Sequence, residues 1–120
     1  MSIVFFETTP SVLAKDLRSE PRKALCVAAV VAPRSAAGAI QGTTANISVH
    51  GLDLISDTDL RPGTRCEVAF SLPIGGQMRP VQVQACVVRS TPGADSFSLG
   101  LVFFGMPQRT KELLESFVWS

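Results

Sequence analysis

The sequence predicts a mainly β domain, in which six short antiparallel strands form a barrel or sandwich and a C-terminal helix closes one end. Three observations lead there. Apolar residues alternate with polar or small ones through the middle of the chain, Pro- and Gly-containing turns fall between the alternating runs, and beyond Phe104 the apolar spacing becomes helical. A chain of 120 residues is long enough for one domain with a real core and too short for two.

The elements follow in order. Residues 7–24 carry no clear strand; Thr9-Pro10 is placed to start a short helix through Leu17, and Arg18 to Lys23, broken by Pro21, reads as an exposed, flexible arm. Leu25 to Val31, Ala39 to Ile47 and Leu52 to Ile55 are the first three strands. Cys66, Val68, Phe70 and Leu72 then alternate with Glu67, Ala69 and Ser71, so one face of a fourth strand is buried. Val81, Val83, Ala85 and Val87 repeat the pattern, as do Phe97, Leu99, Leu101 and Phe103. Turns are expected at Pro33 to Gly38, Arg61-Pro62-Gly63, Pro73 to Gly76 and Thr91-Pro92-Gly93, where Pro fixes one φ and Gly permits the reversed one. Pro107 can occupy a first helical turn, after which Leu113, Leu114, Phe117 and Val118 form an apolar stripe, with Trp119 expected to pack on the barrel. The chain thus divides into an N-terminal segment and arm (1–24), a β-barrel (25–104) and a terminal helix (105–120), all in one domain.

Composition narrows the function. Eleven Lys and Arg against ten Asp and Glu leave a net charge of +1, and a pI of about 7.7 is far from that of a basic domain that coats DNA or RNA. A barrel for single-stranded nucleic acid would need exposed aromatics for base stacking, yet the chain has no Tyr and its Phe residues sit mostly at core-facing positions. The apolar run Ile3 to Phe6 is too short for the core of a signal peptide, and no stretch approaches the ~18 apolar residues of a membrane span, so a cytoplasmic protein without membrane insertion is expected. Cys26, Cys66 and Cys86, odd in number and widely spaced, read as small buried hydrophobes within strands. With one histidine, no Cys-x-x-Cys, no Walker-type glycine loop and no Gly-x-Ser-x-Gly elbow, the sequence does not point to an enzyme, a metal site or a cofactor.

Two motifs stand out. Arg18-Ser19-Glu20-Pro21-Arg22 places two guanidinium groups four residues apart, each a planar fork of donors suited to phosphate oxygens and to the acceptor edge of guanine. Spacing alone is weak, because Arg61-Pro62-Gly63-Thr64-Arg65 repeats it in an ordinary turn, and a solvated loop explains either pair. Asn46-Ile47-Ser48-Val49-His50-Gly51 joins two strands through short polar side chains that can fix a turn, with Gly51 free in its backbone; alone it also reads as a hairpin with Ile47 and Val49 in the core. His50 has no evident partner to orient it as a base.

In this order, within a six-stranded barrel, the two motifs resemble the PilZ domain family. The likeness extends through Leu52-Asp53-Leu54, Pro62-Gly63 with the strand Cys66 to Leu72, and Ser98-Leu99-Gly100-Leu101-Val102-Phe103, covering roughly residues 16–118. It implies a six-stranded antiparallel PilZ-type β-barrel with a C-terminal α-helix, and a receptor for cyclic di-GMP without catalytic activity. Arg18 and Arg22 would hold phosphate and guanine, while Asn46, Ser48 and Gly51 would meet the other side of a guanine; Leu17, Lys23 and His50 are additional candidates. Leu17 stands where many members have a further Arg that favours a stacked pair of ligands, so one ligand per chain is expected. Glu20 would repel phosphate if it pointed inward. The output would pass to a protein partner in motility, pilus or biofilm control. The competing reading is a PilZ-like adaptor of pilus or flagellar machinery that ignores nucleotide.

Overall fold

The period-2 runs form strands, and the period-3.6 run forms a helix. The computed structural model describes residues 20–34 and 38–120; the expected helix from Thr9 to Leu17, together with Leu17 and Arg18 themselves, lies outside them. The strands are β1 (Lys23–Ala24), β2 (Ala28–Pro33), β3 (Ile40–Ile47), β4 (Gly51–Ser56), β5 (Arg65–Ile74), β6 (Gln77–Pro92) and β7 (Phe97–Phe104), followed by helix α1 (Gln108–Val118). Strands β3-β2-β5-β6-β7-β4 pair in that order, and β4 returns to β3, so six antiparallel strands close a barrel and β1 is an extra strand on β3. Closure leaves no free sheet edge around the middle of the barrel, which answers the exposure of unpaired N–H and C=O groups that open sheets suffer.

Alternation puts Val31, Leu54, Val68, Leu72, Val83, Val87 and Leu99 inside, and α1 adds Leu114, Phe117 and Val118 to the same core. Lys23 ties the N-terminal side to this helix. Its Nζ donates to the Phe117 carbonyl at 3.1 Å and to Ser120 Oγ at 2.6 Å, and lies 4.4 Å from the Phe117 ring centre. A cation at the helix C-terminus meets carbonyls that have no partner within the helix.

Several expectations need correction. The first expected strand, Leu25 to Val31, begins late: Ala28–Val31 pairs with Ile40–Thr43 but Leu25–Val27 leaves the ladder, and ahead of it Lys23–Ala24, where no strand was expected, pairs with Ile47 and Asn46. Thr44 fills that break, its hydroxyl donating to the Leu25 carbonyl at 2.5 Å and accepting from the Val27 amide at 2.9 Å. The Arg18 to Lys23 arm therefore does not run free to its end, because Lys23 is already in a strand. Pro73 and Pro92 lie inside strands rather than in turns. The β5–β6 reversal is made by Gly75 and Gly76 alone, with φ of 60° and 78°, the positive values that a two-residue hairpin requires at both positions. Pro107 is the N-cap of α1 rather than a residue of its first turn. Trp119 is 67% exposed, since it follows the last buried turn of the helix instead of belonging to the stripe. Of the cysteines only Cys66 is buried; Cys86 is half-buried on the opposite face of its strand from Ala85, and Cys26 is exposed in the break after β1.

Candidate ligand-binding site

Strand pairing lines up four residues across the outside of the barrel. Asn46 of β3 is opposite Asp53 of β4, Asp53 is opposite Gly100 of β7, and Gly100 is opposite Arg89 of β6. Simple alternation would have turned two of them inward. On β3 the register shifts between Thr44 and Asn46, and on β6 it shifts between Val87 and Arg89, so Ala45 and Val88 are the extra residues of two β-bulges. A bulge adds one residue to one strand and re-aims the side chains beyond it. Thr44 and Val87 face the core, and without the bulges Asn46 and Arg89 would face it too. Both instead stand on the outer face.

Arg22, just before β1, completes the row. Its Nη1 donates to Asn46 Oδ1 at 3.0 Å and lies 3.5 Å from Asp53 Oδ2. From the other end Arg89 Nη2 reaches Asp53 Oδ1 at 2.8 Å. It can do so because Gly100 has no side chain: a Cβ there would stand 3.0 Å from the Arg89 Cζ, Nη1 and Nη2 atoms. Two guanidinium groups thus meet on one carboxylate, 21% exposed, beside an amide side chain. Among the described residues Arg22 donates only from Nη1 and Arg89 only from Nη2, so the other donors of each fork have no partner there. The depression over the row, bordered by Arg22, Asp53, Val88, Arg89 and Val102, has a volume of about 50 Å³. That space is too small to enclose a nucleotide, so a ligand of that size would lie across the face. A larger open depression of about 510 Å³ on the β5–β6 hairpin, bordered by Phe70, Ser71, Pro80 and Gln82, offers no charged group to an anion.

The Ser48–Gly51 turn borders the row. The Ser48 amide donates to the Gly51 carbonyl at 2.8 Å, and Ser48 Oγ accepts from the amides of Gly51 at 3.2 Å and His50 at 3.3 Å. Ser48 is fully buried, so its hydroxyl builds the turn from within. Gly51 answers a packing demand: a Cβ would stand 2.3 Å from the Leu101 carbonyl oxygen of β7. The His50 carbonyl accepts from the Phe103 amide at 2.8 Å, fixing the turn to the same strand. His50 does have a partner after all, since its Nδ1 contacts Glu20 Oε2.

A sequence model of the PilZ domain family matches residues 16–119. The chain belongs to the PilZ domain family. Solved PilZ structures agree in fold. The Bacillus subtilis inhibitor of motility, MotI/DgrA, superimposes with a TM-score of 0.71 at 17% identity over 81% of this chain and 47% of that one, so this PilZ chain spans about half that protein's length. The PilZ domain of YcgR from Escherichia coli, solved with c-di-GMP, gives 0.66 at 12% identity over 82% of this chain and 86% of that one. A tetrameric PilZ domain protein from Xanthomonas campestris gives 0.53 at 25% identity over 72% and 47% of the two chains. No curated protein sequence matches. Among the described residues no helix is long and apolar enough to cross a membrane, and no cluster of potential metal ligands occurs.

Of the residues expected at the site, the structure brings Arg22 and Asn46 into contact and sets Ser48 and Gly51 in the adjoining turn. Lys23 points elsewhere, to the end of α1. The second Arg pair serves the barrel: Arg61 and Thr64 close the turn before β5, and the Arg65 guanidinium stacks 5.1 Å from the Phe104 ring centre. Sequence reasoning missed Asp53, Arg89 and Gly100. A signal existed for Arg89, which falls on the core parity of Val81, Val83, Ala85 and Val87; a charge at a core position in a strand calls for a bulge.

Proposed function

We propose that this PilZ domain is a cyclic di-GMP receptor whose ligand lies across the outer row formed by Arg22, Asn46, Asp53 and Arg89, against the Ser48–Gly51 turn. The observation that carries the reading is the convergence of Arg22 and Arg89 on Asp53, which fixes two guanidinium forks at one place with donors to spare. A cyclic dinucleotide presents two phosphodiester anions and two guanines, and guanidinium forks match both phosphate oxygens and the O6/N7 edge of guanine. Asn46 adds an amide for a base edge, and Arg18 supplies a further cation from the arm. Ser48 and Gly51 act by holding the turn in shape rather than by offering free donors. Asp53 positions the two forks and offsets their mutual repulsion until phosphate arrives. The site needs no large basic surface, so a net charge of +1 is compatible with a dianionic ligand.

With no catalytic group in the reading, the output is a change in what the domain presents to a protein partner. The motility-inhibiting and nucleotide-bound PilZ structures support a signalling role of this kind. The test is residue-resolved: in 15N-labelled protein, cyclic di-GMP should shift the amides of Arg22, Asn46 to Gly51, Asp53 and Arg89, leaving the tip of the β5–β6 hairpin, Phe70 to Gln82, unmoved. Shifts confined to that hairpin would overturn the placement.

A further inference from the structure

Glu20 occupies the middle of the Arg18–Arg22 motif, and residues 20–22 have no regular structure, yet its side chain is only 16% exposed. One carboxylate oxygen contacts His50 Nδ1. The other, Oε1, is buried and has no hydrogen-bond partner among the described residues. Two residues on, Arg22 donates to Asn46. The same short segment therefore holds both ends of the Asn46–Gly51 stretch, by a guanidinium at one end and a carboxylate at the other.

An anion thus already rests on the turn, supplied by the chain itself. We propose that Glu20 is an internal competitor of the ligand, latching the arm onto His50 in the free protein and giving way when a phosphate-bearing ligand arrives; the inference rests on the binding face proposed above. Like charges at close range oppose each other, so a phosphate beside the turn and Glu20 on His50 are mutually unfavourable. A carboxylate with one oxygen unsatisfied is also a poor resting state, which suits a contact that must be released. Apparent affinity falls by the fraction of molecules in which the face is open, so Glu20 sets sensitivity without touching the ligand.

The experiment is a titration of cyclic di-GMP into the wild type, Glu20→Gln, His50→Gln and the double variant, with Glu112→Gln, on the exposed face of α1, as a control for net charge. For a partly exposed side-chain contact the latch should cost roughly 2- to 5-fold in affinity. Glu20→Gln should therefore bind that much more tightly than wild type, Glu112→Gln should not, and the gain should vanish in the His50→Gln background. Unchanged or weaker binding by Glu20→Gln, an equal gain from Glu112→Gln, or a gain that survives loss of His50 would each overturn the latch. If no variant binds the nucleotide, the receptor reading itself has failed. The latch is then judged without ligand, by trypsin cleavage after Arg22, which should be faster in Glu20→Gln and His50→Gln than in wild type; equal rates would overturn it.

Discussion

Replacing Arg89 by alanine separates a binding role from a structural one. In the folded protein Arg89 makes one 2.8 Å charge-assisted bond to Asp53, with its side chain 52% exposed. Exposed pairs of this sort contribute only about 0–1 kcal/mol to stability, so Arg89→Ala should lower the melting temperature by a few degrees at most. The lost contact to a phosphate or guanine is different, because a hydrogen bond to a charged group is worth about 1.5–3 kcal/mol, or roughly 10- to 150-fold in affinity. Asp53 would also be left with Arg22 alone. Isothermal calorimetry with cyclic di-GMP, alongside thermal denaturation, reads both quantities on one sample. Arg89→Ala binding as tightly as wild type would refute the outer row as the binding face, and a loss of stability as large as the loss of affinity would assign Arg89 to the fold.

Arg22→Ala should weaken cyclic di-GMP about as much as Arg89→Ala, while Arg61→Ala, at the same motif spacing but in the turn before β5, should leave affinity unchanged; equal effects in calorimetry would undo the choice between the two Arg pairs. Gly51→Ala forces a Cβ against the Leu101 carbonyl and should cost roughly 1–3 kcal/mol of stability by denaturant unfolding, and an unchanged midpoint would show that the turn yields. Burial first, and Cys86 nearby second, push the Cys66 thiol up to about 11 from 9.0. At pH 8 iodoacetamide should therefore label exposed Cys26 and spare Cys66 until unfolding. Between pH 9 and 11 the unfolded thiol releases its proton while the folded one keeps it, so wild-type stability should fall with rising pH more steeply than that of Cys66→Ala; parallel slopes would contradict the shift.

The barrel was legible because a strand that buries one face must alternate, and each core run obeys that rule with turn residues at its ends. The arm's anchorage was not, because Lys23 acts through Phe117 and Ser120, which meet it only after the helix has folded back. Trp119 misled because an aromatic next to an apolar stripe reads as part of it, whereas one position past Val118 the helical repeat turns about 100° away from the face of Leu114, Phe117 and Val118. Within the site, Arg22 and Asn46 were visible as motif residues, since their types and spacing carry chemistry on their own. Asp53, Gly100 and Arg89 carry none until strand pairing sets them side by side, and the two bulges that turn Asn46 and Arg89 outward are properties of paired strands rather than of either sequence segment. Glu20 was read only as a threat to phosphate, because nothing in sequence places it against His50.

Calorimetric titration of the wild-type chain with cyclic di-GMP and, separately, with GMP decides whether this PilZ domain receives the dinucleotide. Saturable heat is expected with cyclic di-GMP at about one ligand per chain, as Leu17 in place of a further Arg implies, and none with GMP at the same concentrations. No heat with either nucleotide would contradict the receptor reading and leave the PilZ barrel as a protein adaptor; saturation at two ligands per chain would contradict the role given to Leu17.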